Sequence, residues 1–190
     1  MDLCGPMKGQ SRGGYKYVFV IVDDYSRYVW PIFLASKDQT FDEFEVFIRK
    51  VQNKYSYNLV SIRSDHGTEF DNHMFDEYCR AKGVDHNFST PRTPQQNGVV
   101  EKMNRTLEGM ARTMLLWSGL PRSFWAEAVN TACYTHNRAM IRSILNKTPY
   151  ELLRGRKPNI SHLRCFGAKC YVHNNGKNWL SKIIVRPIVC

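Results

Sequence analysis

Acidic side chains almost vanish from the second half of this 190-residue chain. Residues 86–190 hold 16 Lys and Arg against four Asp and Glu, whereas residues 1–85 hold 11 basic and 13 acidic ones. The formal charge of +10 is therefore concentrated in the later half, where it suits a polyanionic partner, nucleic acid above all. Long apolar runs are also missing. The longest, Val18 to Val22, is far too short to span a bilayer, and no basic-then-apolar stretch follows Met1, so neither secretion nor membrane insertion is expected. Internal repeats and low-complexity tracts are absent, leaving room for one good core with a short appendage. Six cysteines (Cys4, Cys79, Cys133, Cys165, Cys170, Cys190) without a signal segment predict reduced thiols in a cytosolic or nuclear setting. The sequons at Asn87, Asn104, Asn146 and Asn159 then read as chance matches.

The pattern of apolar residues predicts an α/β chain. Tyr15 to Asp23 and Tyr28 to Leu34 alternate and are rich in β-branched and aromatic residues, giving a hairpin turned at Asp24-Tyr25-Ser26-Arg27. Helical spacing runs from Thr40 to Val51. A short strand from Leu59 to Ser64 delivers Asp65, a helix over 72–82 stops at Gly83, and Val84 to Phe88 reads as another strand. Ser89 to Gly98 is a polar loop. From Val99 to Trp117 a helix sets Val100, Met103, Leu107, Met110 and Met114 on one stripe, with Glu101, Arg105, Glu108 and Arg112 opposite. A second amphipathic helix runs from Phe124 to about Met140, a short one covers 148–153, and His162 to His173 is strand-like.

Three acids carry the chemistry. Asp65 and Glu101 are separated by 35 residues, and each lies in a dense motif: Ser64-Asp65-His66-Gly67-Thr68-Glu69-Phe70 and Thr93-Pro94-Gln95-Gln96-Asn97-Gly98-Val99-Val100-Glu101-Lys102-Met103-Asn104. With Asp2 they form the set that a two-metal phosphoryl-transfer site requires. Mg²⁺ and Mn²⁺ are hard ions that prefer carboxylate oxygens. Two of them roughly 3.5–4 Å apart clamp the attacking and leaving oxygens of an in-line displacement. Lys102, Arg105 and Arg112 add a basic row on the Glu101 helix for flanking phosphates, and Gln95, Gln96 and Asn97 are loop residues able to reach DNA. The competing role for Arg105 is an exposed i,i+4 ion pair with Glu101. Asp23 and Asp24 are a second carboxylate pair, assigned to turn formation. His162-x2-Cys165-x4-Cys170-x2-His173 has metal-like spacing, yet on one strand Cys165 and Cys170 point to opposite faces, so packing is the reading.

Asp2-Leu3-Cys4-Gly5-Pro6, Val22-Asp23-Asp24-Tyr25-Ser26-Arg27 and the two acid motifs together resemble the integrase catalytic core of Ty1/copia-type retrotransposons. The resemblance implies an RNase H-like fold with a five-stranded mixed sheet flanked by helices over residues 1–145. It also implies a linker helix and an incomplete start of an SH3-like domain over 146–190. Asp2, Asp65 and Glu101 become the metal triad for two Mg²⁺ or Mn²⁺ ions. The implied reactions are 3′-end processing and strand transfer on transposon-end and target double-stranded DNA, by a homo-oligomer acting in the nucleus, with a cytoplasmic stage before import. A non-catalytic nucleic-acid-binding remnant and an RNase H-like nuclease are the alternatives. Because only Met1 precedes Asp2, half of the first strand is expected to be missing, as in a fragment or decayed copy.

Overall fold

A computed structural model describes residues 1–89 and 98–169. Within them the order is β1 (Asp2–Cys4), β2 (Tyr17–Val22), β3 (Val29–Leu34), α1 (Thr40–Tyr55), β4 (Ser61–Ser64), α2 (His73–Lys82), β5 (Asp85–Phe88), α3 (Gly98–Ser118), α4 (Trp125–Ala139) and α5 (Pro149–Arg154). β1, β2 and β3 form an antiparallel sheet in that order, with Asp2 opposite Val20 and Val22 opposite Val29. β4 and β5 pair in parallel, Ser61 opposite Asp85.

The expected five strands are present among the described residues, but their hydrogen bonding divides them into three and two. The cause is the brevity of β1. Its three residues cover β2 only as far as Val20, and the link to the parallel pair is a bond from the Met1 amino group to Arg63 O at 2.6 Å. A second correction concerns the expected strand from His162 to His173: residues 162–169 form turns and coil, and 170–173 lie outside the described residues.

Alternation along β2 builds two cores, because successive strand residues face opposite sides of a sheet. Phe19 points to one side, where Leu34, Phe44, Ile48, Phe70 and Phe75 meet it; α1 and α2 pack there. Val18 and Val20 point to the other, against Val100, Leu107, Ala111, Val129 and Cys133 of α3 and α4. Each fully buried aromatic or aliphatic side chain contributes about 1.5–3 kcal/mol.

Helix ends follow local chemistry. Asn72 Oδ1 accepts from the backbone N–H of Met74 and Phe75, capping α2, which ends at Gly83 with φ +64°. Thr148 and Glu151 form a reciprocal capping box on α5. α1 runs four residues beyond the expected Val51, to Tyr55. At the hairpin turn Asp23 Oδ2 accepts from the Ser26 N–H and hydroxyl at 2.7 and 2.5 Å, the turn-shaping role expected of it.

Candidate active site

Each of the three acids is delivered by a different element. Asp2 is the first residue of β1 and is half-buried; Asp65 follows the last residue of β4; Glu101 sits exposed in the first turn of α3. β4 ends rigidly. Ser64 is fully buried, and its hydroxyl donates to Asp65 O at 3.0 Å and lies 2.9 Å from His86 Nε2 on β5. Beyond it the Gly67 N–H donates to Asp65 Oδ1 at 3.1 Å. A Cβ at Gly67 would lie 3.1 Å from that same oxygen and 2.9 Å from Glu69 Cδ, so a side chain there would push on the Asp65 carboxylate. His66 stacks on Phe88 with ring centroids 4.7 Å apart and planes 13° from parallel, holding the turn flat against β5.

Burial raises the Asp2 carboxyl above its usual range, and the negative charge of Asp65 raises it further. Opposing both, Asn104 Nδ2 donates to Asp2 Oδ2 at 2.6 Å. Asn104 stands three residues beyond Glu101, on the same side of α3, so this bond ties the Glu101 turn to β1. The expected site residues omitted Asn104, although it closes the quoted motif. Its signal was the helical i,i+3 spacing from Glu101.

The three carboxylates do not close on one point: among the described residues, no three His, Cys, Asp or Glu side chains lie close enough to hold one ion. The donors nevertheless fit a divalent cation. They are hard oxygens, two of them repel each other, and the Asn104 Oδ1 beside them is buried without a hydrogen-bond partner. A cation there would offset both the burial and the Asp65 charge that raise the Asp2 carboxyl.

Lys102, Arg105 and Arg112 are exposed along α3. The i,i+4 ion pair formed on this face is Glu108 with Arg112 at 2.5 Å; among the described residues Glu101 and Arg105 do not pair. Arg105 instead lines a cleft of about 940 Å³ between α3 and the Cys4–Lys8 segment. Gln95, Gln96 and Asn97 lie outside the described residues, as do Cys170 and His173. His162 Nε2 meets the Tyr134 hydroxyl at 2.9 Å and Cys165 is exposed. No helix among the described residues is long and apolar enough to cross a membrane.

Residues 1–94 match the integrase core domain, a stretch that contains Asp2 and Asp65. The chain is 41% identical over 172 residues, 90% of its length, to the retrovirus-related Pol polyprotein from transposon TNT 1-94 of Nicotiana tabacum.

The chain belongs to the integrase core domain family.

A second relative, the Pol polyprotein from transposon RE2 of Arabidopsis thaliana, is 32% identical over 161 residues, 85% of the chain. This integrase core spans only 13% and 11% of the lengths of those two polyproteins. Among solved structures, the HTLV-2 integrase catalytic core in complex with magnesium aligns with a TM-score of 0.56 and 22% identity, covering 80% of this chain and 95% of that one. The fold is therefore that of the retroviral integrase cores, which is RNase H-like.

Proposed function

We propose that this chain is the catalytic core of a copia-type retrotransposon integrase, trimming the 3′ ends of element DNA and joining them to target DNA. The observation that carries the reading is the convergence of β1, β4 and α3: Asp2 beside Asp65, with the Glu101 turn tied to them through Asn104. Asp2, Asp65 and Glu101 would hold two Mg²⁺ or Mn²⁺ ions, and such ions supply a Lewis acid at the phosphate and a lowered pKa for attacking water. Divalent-ion use has support from the magnesium complex of the HTLV-2 core.

In this reading the residues divide the work. Asn104 orients Asp2 through Oδ2, and the Gly67 N–H orients Asp65 through Oδ1. Glu101, on a solvent-facing turn of α3, would supply the third carboxylate of the set. Arg105 and Lys102 take phosphates flanking the reacting bond, where a cation positions the backbone without reading sequence. Arg112 joins them on release from Glu108, and Gln95, Gln96 and Asn97 follow the strand being joined. The DNA partners are the transposon end and a target duplex, the active form is a homo-oligomer, and the reaction takes place in the nucleus.

The test is strand joining and its reversal on a branched DNA mimic of the integration product, with Mn²⁺ or Mg²⁺, beside an Asp65→Asn variant. Metal-dependent turnover that is lost in the variant supports the assignment, and unchanged turnover in the variant sinks it. The open arrangement of the three acids favours a second reading, a core that binds nucleic acid without reacting. That reading requires salt-sensitive DNA binding by folded protein with no joining under either ion.

A further inference from the structure

The last residue of β4 is held from the β5 side by backbone and side chain together. The Ser89 N–H donates to Ser64 O at 3.0 Å, and the Ser64 hydroxyl meets His86 Nε2 at 2.9 Å. Alternation along β5 turns His86 and Phe88 to one face, leaving Asp85 and Asn87 exposed on the other. On that face the His86 ring packs against Phe75 of α2, with centroids 5.9 Å apart, and against Phe88 at 4.0 Å. Phe88 in turn stacks on His66. A row of rings therefore runs from the core under α2 to the turn after Asp65.

Proton count fixes the roles in the contact between Ser64 and His86. A serine hydroxyl carries one proton and accepts through its lone pairs. Ser64 gives its proton to Asp65 O at 3.0 Å, so across the 2.9 Å contact the hydroxyl accepts and His86 Nε2–H donates. Burial lowers the pKa of this ring from 6.5, so it carries a single ring proton at neutral pH, and that proton sits on Nε2. Nδ1 is then a bare acceptor, buried and without a partner among the described residues. The opposite tautomer would bury an unpaired N–H at Nδ1 and draw the Ser64 proton to Nε2, away from Asp65 O. Ser64 is fully buried, so solvent does not compete for its hydroxyl. An apolar side chain would fill the same space without leaving Nδ1 unpaired; what the imidazole adds is a donor to Ser64.

We propose that His86, as its Nε2–H tautomer, is a positioning residue for Asp65 that acts through the Ser64 hydroxyl. Holding that hydroxyl as an acceptor aims its proton at Asp65 O, which fixes the peptide leading from Asp65 into the His66-Gly67 turn. The same turn carries the Gly67 N–H to Asp65 Oδ1, and the His66 ring is held by Asp71 Oδ2 at 3.1 Å as well as by Phe88. Asp65 is thus gripped at its carbonyl from the β5 side and at its carboxylate from the turn. The assignment rests on the reading of Asp65 as a metal-holding carboxylate.

The experiment joins ring-nitrogen NMR of the unaltered chain to the variants His86→Gln, His86→Leu, Ser64→Ala and the His86→Leu/Ser64→Ala double. Long-range proton–nitrogen spectra should show His86 protonated at Nε2; a proton on Nδ1 overturns the proposal. Hydrogen exchange at the Gly67 amide should quicken about tenfold in His86→Leu and return to within about twofold of the original rate in His86→Gln, whose amide restores a donor at the Nε2 position. Ser64→Ala, which keeps the ring, should match His86→Leu in exchange, so the comparison survives if the Leu variant does not fold. In joining on the branched substrate, His86→Leu should lose about tenfold in kcat with the KM for DNA unchanged, and His86→Gln should recover most of that loss. The double variant should lose no more than Ser64→Ala alone, because His86 acts through that hydroxyl. Leu and Gln variants that behave alike in exchange or in rate show a ring that only packs, and overturn the proposal. Additive losses in the double variant do the same. A chain that joins no DNA at all defeats the reading of Asp65, while the tautomer and the Gly67 exchange still decide the positioning, since neither depends on catalysis.

Discussion

At the residue scale the site is decided by small groups that aim large ones. Asn104 holds one oxygen of Asp2, and replacing it with Ala removes a hydrogen bond to a charged group worth about 1.5–3 kcal/mol where it is sheltered. We expect Asn104→Ala to lose at least tenfold in joining rate while the fold persists, measured on the branched substrate together with a thermal melt. Gly67 is a sharper case. Its added methyl would meet the far end of Glu69, which can move, and the Asp65 carboxylate, which the proposed chemistry needs where it is. Gly67→Ala should therefore reduce the joining rate severalfold with a stability change below about 1 kcal/mol. A large loss of stability with normal turnover would show that the contact matters only to folding.

The elements depend on side chains that take over backbone pairing. β3 is an edge strand, and Val29 turns its N–H and C=O away from β2. Asn137 on α4 answers both, accepting from Val29 N at 2.9 Å and donating to Val29 O at 2.8 Å, while only 2% exposed. It blunts the edge as a partner strand would and fastens α4 to the sheet. Asn137→Ala leaves two buried backbone groups unpaired, so we expect a loss of about 2–4 kcal/mol in denaturant unfolding. Asn137→Asp keeps the acceptor for Val29 N but sets a carboxylate oxygen against Val29 O in a buried site, so it should cost at least as much as Asn137→Ala. This clamp was not legible beforehand. An asparagine on the apolar side of a helical pattern gives no sign of the strand 108 residues away that it serves.

For the whole molecule, one buried histidine, His136, and one half-buried histidine, His86, couple stability to acidity. Burial depresses the protonated form of His86 and of His136 below the ordinary value of 6.5. The unfolded chain then binds more protons than the folded one as pH falls past that value. Their contribution is complete above about pH 6.5 and is lost as pH falls through the depressed folded values. Urea midpoints should therefore decline from pH 7.5 to pH 5, and His136→Gln should flatten part of that decline. The charge distribution makes a second prediction at this scale. With 16 basic and four acidic side chains after residue 85, the logarithm of the DNA-binding constant should fall linearly against the logarithm of salt concentration. Arg105→Ala should make that slope shallower by about one unit.

The sequence alone determined the element order from β1 to α5 and the amphipathic faces, and it nominated the three acids. Periodicity and turn chemistry are local properties that survive in the folded chain. Val100 and Leu107 are buried on the predicted stripe of α3, and Asp23 shapes the predicted turn. Tertiary structure decided what depends on distance in space. It tied Asn104 to Asp2, set Arg112 against Glu108 rather than leaving it free, and put Asn137 on the β3 edge. It also left residues 162–169 without strand structure and divided the sheet where β1 runs out. A strand exists only when another backbone answers its hydrogen bonds, and the sequence of one segment does not contain its partner.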